Sequence, residues 1–174
     1  MAIEFSILEL EQIRGVYLFR PSVSADMRGN IWTSFVKGDI EKYLPAEVHF
    51  KHDKFSTSKQ NVLRGIHGDT KSWKLVTCVH GEIHQVVVDY REGSPTYLKY
   101  HKVIINTGNQ LMMLIPPNMG NSYFVSSKEA VYHYKLAYDG NYLDADEQFS
   151  LKWNDPRIGI EWPTTDPILS ERDK

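Results

Sequence analysis

The segment Asn61-Val62-Leu63-Arg64-Gly65-Ile66-His67-Gly68-Asp69 is a short apolar run that ends in a histidine, with an arginine three residues earlier. Its apolar residues predict a buried strand over 62–67. In a regular strand the side chains of Arg64 and His67 would point to opposite faces. Both can reach one pocket only if the backbone bends at Gly65 or if His67 lies beyond the regular strand, and a glycine permits such a bend.

Strand signals repeat on the C-terminal side of position 48 about every ten residues, and turn-forming residues separate them. The predicted strands are 48–54, 62–67, 73–79, 82–89, 97–105, 112–115, 122–125 and 130–138. Turns are predicted at 57–60, 68–69, 80–81, 92–95, 107–109 and 116–120. Many short strands with almost no helical period predict an all-β sandwich or barrel.

The N-terminal part of the chain is more irregular. Residues 1–20 predict a strand pair interrupted at Arg14-Gly15, 21–30 a polar turn segment, and 31–36 a strand. Residues 37–45 are the best helix candidate, and Pro45 ends it. The tail after Gly140 is rich in Asp, Pro and Trp, and we expect it to wrap around the outside.

Length and composition indicate a single domain, 1–174, of an ordinary globular protein, with 41% hydrophobic and 24% charged residues. The net charge of -2 predicts no nucleic-acid partner and no binding to an acidic membrane surface. No apolar run has the length of a membrane span, and the first residues lack the pattern of a signal peptide. With its lone cysteine, Cys78, the chain is expected to be cytoplasmic.

The seven histidines do not form a metal-binding pattern. A barrel metal site would need two histidines two residues apart, but His67 is followed by Gly68 and Asp69. The turn where a further histidine would close such a site carries Asn121 instead. We therefore expect no metal. Cys78 is expected to pack in the core, and neither a nucleophile elbow nor a phosphate loop is present.

Residue chemistry alone leads no further than a β-rich domain with a polar pocket. His67 can be a structural histidine or a base, and Tyr134 a core residue or an acid. Arg28 and Arg64 can be surface charges or phosphate ligands. Asp173, one residue from the chain end, would normally be disordered.

An ordered set of short motifs carries a resemblance that covers nearly the whole chain. The motifs lie at 26–29, 61–67, 74–76, 81–82, 86–89, 94–96, 115–116, 134–135, 153–156, 159–163 and 169–170. In this order they resemble the dTDP-4-dehydrorhamnose 3,5-epimerase family of cupin sugar epimerases. The sequence is also similar to the branch of that family that acts on GDP-linked 4-keto heptoses in bacterial capsule synthesis.

The resemblance implies a double-stranded β-helix, or cupin jelly roll, with short peripheral helices, a homodimer, a sugar-nucleotide substrate and no cofactor. It implies that His67 is the base, Asp173 its partner, Tyr134 the proton donor on the opposite face, and Lys74 a cation near the keto oxygen. These roles suit the chemistry, because histidine titrates near neutral pH and a developing enolate needs a nearby positive charge.

Further residues are expected to bind the substrate. The resemblance assigns Arg28 and Arg64 to the diphosphate and the sugar, which suits the forked guanidinium. The other candidate substrate-binding residues are Asn121, Gln85, His52 and Lys54.

Three positions depart from the pattern of the family. Asn121 stands where the family commonly has a histidine, and Gln85 where it often has an aspartate. Tyr138-Asp139-Gly140 stands where paired tyrosines are common. These changes leave the expected base and acid intact and predict a larger or more hydroxylated sugar than the usual 6-deoxyhexose.

Three other functions compete with epimerisation at both C3 and C5. The first is epimerisation at C3 only, on a dTDP- or GDP-linked 4-keto-6-deoxy sugar. The second is a cupin that binds a sugar nucleotide without turnover, and the third is a metal-dependent cupin. The presence of His67, Tyr134 and Lys74 together favours catalysis over binding alone.

Overall fold

The computed structural model describes residues 3–174, which form thirteen strands and a few short helices. The strands are β1 (Phe5–Glu9), β2 (Tyr17–Pro21), β3 (Val23–Asp26), β4 (Gly29–Trp32), β5 (His49–Lys59), β6 (Leu63–Gly68), β7 (Trp73–His80), β8 (Glu82–Asp89), β9 (Tyr100–Asn106), β10 (Met112–Ile115), β11 (Met119–Val125), β12 (Glu129–Tyr138) and β13 (Phe149–Ser150). The helices are α1 (Lys37–Ile40) and 3₁₀ helices at Glu41–Tyr43, Ala145–Glu147 and Glu171–Asp173.

The strands form two main antiparallel sheets and one hairpin. The six-stranded sheet has the order β1-β2-β10-β7-β12-β5, and the five-stranded sheet has the order β13-β6-β11-β8-β9. Strands that are neighbours in a sheet are often far apart in the chain, as in a jelly roll, which confirms the predicted cupin fold with short peripheral helices. The hairpin β3–β4 belongs to neither sheet.

The main apolar core joins the two sheets. Val76, Met113 and Tyr132 of the six-stranded sheet pack in one cluster with Val87 and Val125 of the five-stranded sheet. Their alternation with outward-facing residues is the period of two that the sequence shows. The core therefore occupies the space between the sheets and leaves their ends free to form a cavity.

Cys78 belongs to the same core and is buried, which confirms its expected packing role. Burial raises the pKa of its thiol to about 11. A thiol with so high a pKa is a poor nucleophile at neutral pH.

The predicted strands from position 48 onward are confirmed, with shifts at their ends. The turn predicted at 57–60 is wrong, because Thr57, Ser58 and Lys59 continue β5 and pair with β12. The turn predicted at 116–120 is shorter than expected, because β11 begins at Met119.

The N-terminal predictions are confirmed only in part. The strand pair in 1–20 is present, and the helix predicted at 37–45 is present as α1 and the following 3₁₀ turn. The polar turn segment at 21–30 is instead the β3–β4 hairpin, and the strand predicted over 31–36 ends at Trp32. A two-stranded ribbon that is exposed on both faces has no apolar alternation by which the sequence could reveal it.

Within residues 3–174, none of the helices is long and apolar enough to cross a membrane. The described chain starts two residues after the beginning of the predicted domain, 1–174, and Met1 and Ala2 lie outside it. The single-domain boundary stays a prediction.

Candidate active site

A cavity of about 550 Å³ opens between the two sheets and takes residues from both. The six-stranded sheet contributes Lys54 and Ser56 of β5, Lys74 of β7, and Tyr132, Tyr134 and Leu136 of β12. The five-stranded sheet contributes Leu63, Arg64, Gly65 and His67 of β6, and Asn121 and Tyr123 of β11. Segments after β12 and at the chain end complete the wall with Tyr142, Asp144, Ala145, Gln148, Ile168, Leu169, Ser170, Arg172 and Asp173.

Of the two alternatives, the structure shows the bend at Gly65, and His67 lies within β6. The φ of Gly65 is +102°, in the region that favours glycine, and the pairing of β6 with β11 shifts register between Asn121 and Tyr123. Arg64 and His67 consequently line the same cavity. An added Cβ at Gly65 would lie 2.5 Å from the backbone oxygen of Asn121, so the strands can approach this closely only without a side chain there.

His67 pairs with Asp173 across 106 residues of chain, with 2.6 Å between His67 Nε2 and Asp173 Oδ1. Ser170 Oγ donates to Asp173 Oδ2 at 2.9 Å, and the Gly65 N–H donates to the same oxygen at 3.5 Å. Burial acts to raise the pKa of Asp173, but these hydrogen bonds outweigh it and hold the pKa below its ordinary value.

Asp173 is therefore ionised at neutral pH and can only accept hydrogen bonds. The tautomer of His67 that donates from Nε2 carries a free lone pair on Nδ1. Among residues 3–174, no hydrogen bond occupies Nδ1. The histidine is thus oriented by its carboxylate and has one nitrogen available as a base.

The chain end reaches the cavity because it docks beside β6. Ile168 forms a parallel bridge with Val62, and its backbone bonds both Leu63 and Asn61. The following 3₁₀ turn then places Asp173 against His67. The expectation that the tail only wraps around the outside is therefore wrong for its last residues.

The opposite wall presents Tyr134. On β12 the side chains of Tyr132, Tyr134 and Leu136 line the cavity, whereas His133 and Lys135 point the other way and bind Asp53. Burial raises the pKa of Tyr134, although the nearby positive charges of the cavity oppose this. Tyr134 therefore keeps its proton at neutral pH.

Lys74 lies at the inner end of the cavity and is buried, with 7% exposure. Its Nζ is 3.6 Å from Oδ2 of Asp69, whose Oδ1 accepts the backbone N–H groups of Lys71 and Ser72. Burial lowers the pKa of Lys74, and the carboxylate of Asp69 opposes this effect. Asp69 was not predicted to belong to the site; its position two residues after His67 was the available signal.

Two cations at the cavity mouth come from the predicted set. Arg64 Nε donates to Ser58 Oγ at 2.9 Å, and Lys54 Nζ donates to the Tyr142 hydroxyl at 3.0 Å. Arg172, which was not predicted, also lines the cavity, and its Nε donates to Ser150 Oγ at 3.2 Å. It lies in the irregular tail, where no strand period could assign a direction to its side chain.

Three predicted binding residues do not line the cavity. Arg28 lies at the turn of the β3–β4 hairpin, pairs with Asp26, and has a side chain that is 86% exposed. Gln85 is fully buried behind Asn121. His52 forms a hydrogen bond with the Tyr138 hydroxyl, and its ring packs against Tyr142, which lines the cavity.

Within residues 3–174, no group of three or more His, Cys, Asp or Glu side chains lies close enough together to hold a metal ion.

The fold and this cavity are those of a cupin-type sugar-nucleotide epimerase. The sequence profile of the dTDP-4-dehydrorhamnose 3,5-epimerase family matches residues 11–174. The dTDP-4-dehydrorhamnose 3,5-epimerase of Escherichia coli K12 is 35% identical over 167 residues, which cover 94% of this chain and 89% of that protein. The chain therefore belongs to this family.

A second curated relative and a solved structure extend the comparison. The dTDP-4-dehydrorhamnose 3-epimerase of Streptomyces niveus is 31% identical over 165 residues, covering 93% of this chain and 78% of that protein. The crystal structure of a dTDP-6-deoxy-D-glucose-3,5-epimerase of Legionella pneumophila, in complex with dTDP-4-keto-L-rhamnose, has a TM-score of 0.89 and 32% identity, and the match covers 98% of this chain and 90% of that one. The protein is accordingly an isomerase, an epimerase of a nucleotide-linked 4-keto sugar.

Replacing Gly65 by alanine is expected to disturb both stability and the cavity. The substitution forces a side chain into a left-handed backbone and against Asn121, so we expect the free energy of unfolding to fall by about 1–3 kcal/mol or more. Activity should fall as well, because His67 is placed by this bend. Thermal melts and solvent-deuterium exchange into the substrate measure the two effects.

Gly38→Ala is the matched control, because Gly38 lies in α1 and an added Cβ would meet nothing within 4 Å. It should leave activity unchanged and stability unchanged or slightly higher. Equal behaviour of the two variants would contradict the proposed importance of the bend.

Proposed function

We propose that the protein inverts C3 and C5 of a GDP-linked 4-keto heptose, through an enolate, in the synthesis of a bacterial capsule or other surface polysaccharide. His67 is the base and Tyr134 the proton donor in this proposal. The observation that carries it is that the His67–Asp173 pair and Tyr134 line one cavity from different sheets. A planar enolate between the sheets would have an imidazole on one face and a phenol on the other.

The proposed reaction at each carbon is an exchange of one proton for another. Nδ1 of His67 takes the proton from the carbon beside the ketone, and the electron pair of the broken C–H bond moves to the keto oxygen. Tyr134 then gives its phenolic proton to the opposite face of the carbon, which re-forms the ketone with inverted configuration. Exchange with solvent then removes the extra proton from His67 and returns a proton to Tyr134. The reaction as proposed therefore needs neither a metal nor a redox cofactor.

Lys74 is proposed to stabilise the negative oxygen of the enolate. It is a buried cation at the end of the cavity, and a charge in such surroundings acts more strongly than in water. Removal of one donor to a developing oxyanion typically costs about 3–4 kcal/mol of transition-state stabilisation. Asp173 contributes by fixing the tautomer of His67 and by stabilising the imidazolium that forms.

The anionic diphosphate is proposed to lie at the mouth of the cavity, near Arg64, Lys54 and Arg172. These side chains supply positive charge there, and guanidinium groups match phosphate oxygens in pairs. The proposed catalytic residues line the same cavity as these three cations, so the single domain 1–174 would contain all of them.

A homodimer is part of the proposal. The β3–β4 hairpin projects from the sheets, and Val23, Met27 and Ile31 on it are exposed apolar side chains. Exposed apolar groups on a projecting ribbon are typical of a contact surface. The buried lone cysteine fits a reducing, cytoplasmic setting.

The sugar is inferred from the polar side chains of the cavity wall, of which Asn121 is also a position at which this chain departs from its family. Asn121, Lys54 and Tyr142 give the cavity wall several groups that can hydrogen-bond additional hydroxyls. The similarity to the heptose branch favours GDP. A dTDP-linked 4-keto-6-deoxyhexose is the second candidate, because the named relatives act on dTDP-linked sugars. Inversion at C3 only is the alternative reaction, which the relative from Streptomyces niveus favours.

We expect the GDP-linked 4-keto heptose to be turned over with a higher kcat/KM than the dTDP-linked 4-keto-6-deoxyhexose. Incubation of each with the enzyme in deuterium oxide, followed by mass spectrometry, measures both rates. A crossed pair, the GDP-linked hexose and a dTDP-linked heptose, separates the contribution of the nucleotide from that of the sugar. Higher kcat/KM values for both dTDP compounds would refute the nucleotide assignment.

The number of deuterium atoms incorporated tests the chemistry. We expect two per sugar in the wild type, and one if only C3 reacts. His67→Asn should lower exchange by a factor of about 10²–10⁴, the usual contribution of a positioned base. Tyr134→Phe should retain exchange but lose inversion.

His80→Asn is the matched control, because His80 is an exposed histidine at the end of β7, outside the cavity. It should exchange like the wild type. If His67→Asn also exchanged like the wild type, the catalytic proposal would fail and a cupin that only binds its ligand would remain.

The alkaline side of the pH profile is expected to report Lys74 rather than Tyr134. Burial lowers the pKa of Lys74 below the ordinary lysine value of about 10.4, so this residue loses its charge as the pH rises through that lowered value. Burial raises the pKa of Tyr134, so the phenol is still protonated there. As the pH rises, the exchange rate should therefore begin to fall before the ordinary lysine value of about 10.4 is reached.

Lys74→Arg tests this assignment, because an arginine stays charged over the whole range. We expect the larger side chain to reduce the absolute rate and the alkaline decline to move to higher pH. Lys71→Arg, a change three residues away outside the cavity wall, should leave the decline where it is in the wild type. An unmoved decline in Lys74→Arg would exclude Lys74 as its cause.

A further inference from the structure

Two residues of the cavity wall, Asn121 and Tyr132, form a chain of neutral hydrogen-bonding groups with Gln85, which lies behind the wall. Gln85 is fully buried on β8, and Tyr132 on β12 is almost so. Asn121 on β11 is the member with the most access to the cavity. In the register of β6 and β11 Asn121 is the direct partner of His67, and directly opposed side chains on one face are neighbours.

The direction of the Gln85 amide is determined by a backbone carbonyl. Gln85 Nε2 donates to the carbonyl oxygen of Val86 at 3.1 Å. A carbonyl can only accept, so the end of the Gln85 amide that faces it must be the NH2 group. The other end is then the carbonyl, and it accepts from the Tyr132 hydroxyl at 3.0 Å.

The same NH2 group determines the direction of Asn121. The second hydrogen on Gln85 Nε2 is donated to Asn121 Oδ1 at 2.7 Å. The Tyr132 hydroxyl also lies 3.3 Å from this oxygen, but its single proton is donated to Gln85 at the shorter distance of 3.0 Å. The Gln85 NH2 group, which can only donate, therefore requires the carbonyl end of Asn121 to face inward, and this turns the Asn121 NH2 group outward. Within the described chain, no acceptor takes a hydrogen bond from that NH2 group.

We propose that Gln85 is a positioning residue that holds the Asn121 amide with its NH2 group toward the sugar, as a neutral hydrogen-bond donor beside His67. The group it recognises is an oxygen of the substrate that can accept a hydrogen bond, on the part of the sugar next to the reacting carbon. The donor carries no charge and does not titrate, so it recognises the sugar without changing the charge around the base.

A double-mutant cycle tests whether Gln85 acts through Asn121. It rests on the epimerase reaction but not on the identity of the nucleotide, so it uses whichever 4-keto sugar nucleotide the wild type turns over best. We expect Asn121→Ala to raise KM about tenfold, the effect of one lost hydrogen bond, with a smaller change in kcat. Gln85→Met keeps the length of the side chain but removes the donor, and should raise KM about threefold, because the Tyr132 hydroxyl still holds Asn121 in part.

The decisive comparison is the double variant. In the Asn121→Ala background, Gln85→Met should cause no further rise in KM, because the group it positions is gone. A purely structural role would lower kcat/KM by the same factor in both backgrounds, and that result would overturn the proposal. Gln110→Met is the matched control: Gln110 is another buried glutamine that donates to a backbone carbonyl, that of Thr107, but outside this cavity. It should leave KM unchanged.

Asn121→Asp provides a second test if Gln85→Met does not fold. It keeps the oxygen that accepts from Gln85 and replaces only the NH2 group facing the cavity. KM should rise at least tenfold, because the donor is lost and the new carboxylate repels an anionic sugar nucleotide. An unchanged KM would overturn the inference. Absence of any exchange by the wild type would instead refute the proposed function itself.

Discussion

Gly65 bends β6 with a φ of +102°, and the position of His67 follows from this bend. Without it, the arginine and the histidine of this strand would face opposite sides of the sheet. The bend also brings the backbone of β6 so close to Asn121 that no side chain fits between them. One conformational requirement therefore sets the direction of His67 and its distance from its neighbour on β11.

The same short strand also organises the end of the chain. The tail docks along β6 through backbone hydrogen bonds of Ile168, and the Gly65 N–H reaches the carboxylate of Asp173. The orienting partner of His67 is thus supplied by a segment whose own position depends on β6. Because the two groups are 106 residues apart in sequence, His67 and its carboxylate meet only through the tertiary fold.

The sequence predicted those features that depend on neighbouring residues, such as the alternation of apolar and polar side chains along a strand or a glycine that interrupts it. Alternating apolar residues located the strands of both sheets, and a glycine between Arg64 and His67 indicated the bend. The β3–β4 hairpin was missed because neither of its faces is buried. The place of Asp173 came from family resemblance alone, since no period extends through the tail. Gln85 is buried behind Asn121 because β8 pairs with β11. The alternation of side chains along a single strand does not show which strands pair.

The two-sheet architecture explains why this cavity suits inversion at carbon. Inversion needs a proton acceptor and a proton donor on opposite faces of one planar intermediate, held apart so that they do not exchange a proton directly. In the proposed mechanism facing sheets provide this separation, because His67 belongs to β6 of one sheet and Tyr134 to β12 of the other. The charged groups are divided between the same two sides. Asp173 lies next to His67, and the buried Lys74 lies on β7, in the same sheet as Tyr134. The proposed planar anion would therefore lie beside a buried cation before any substrate-specific contact is made.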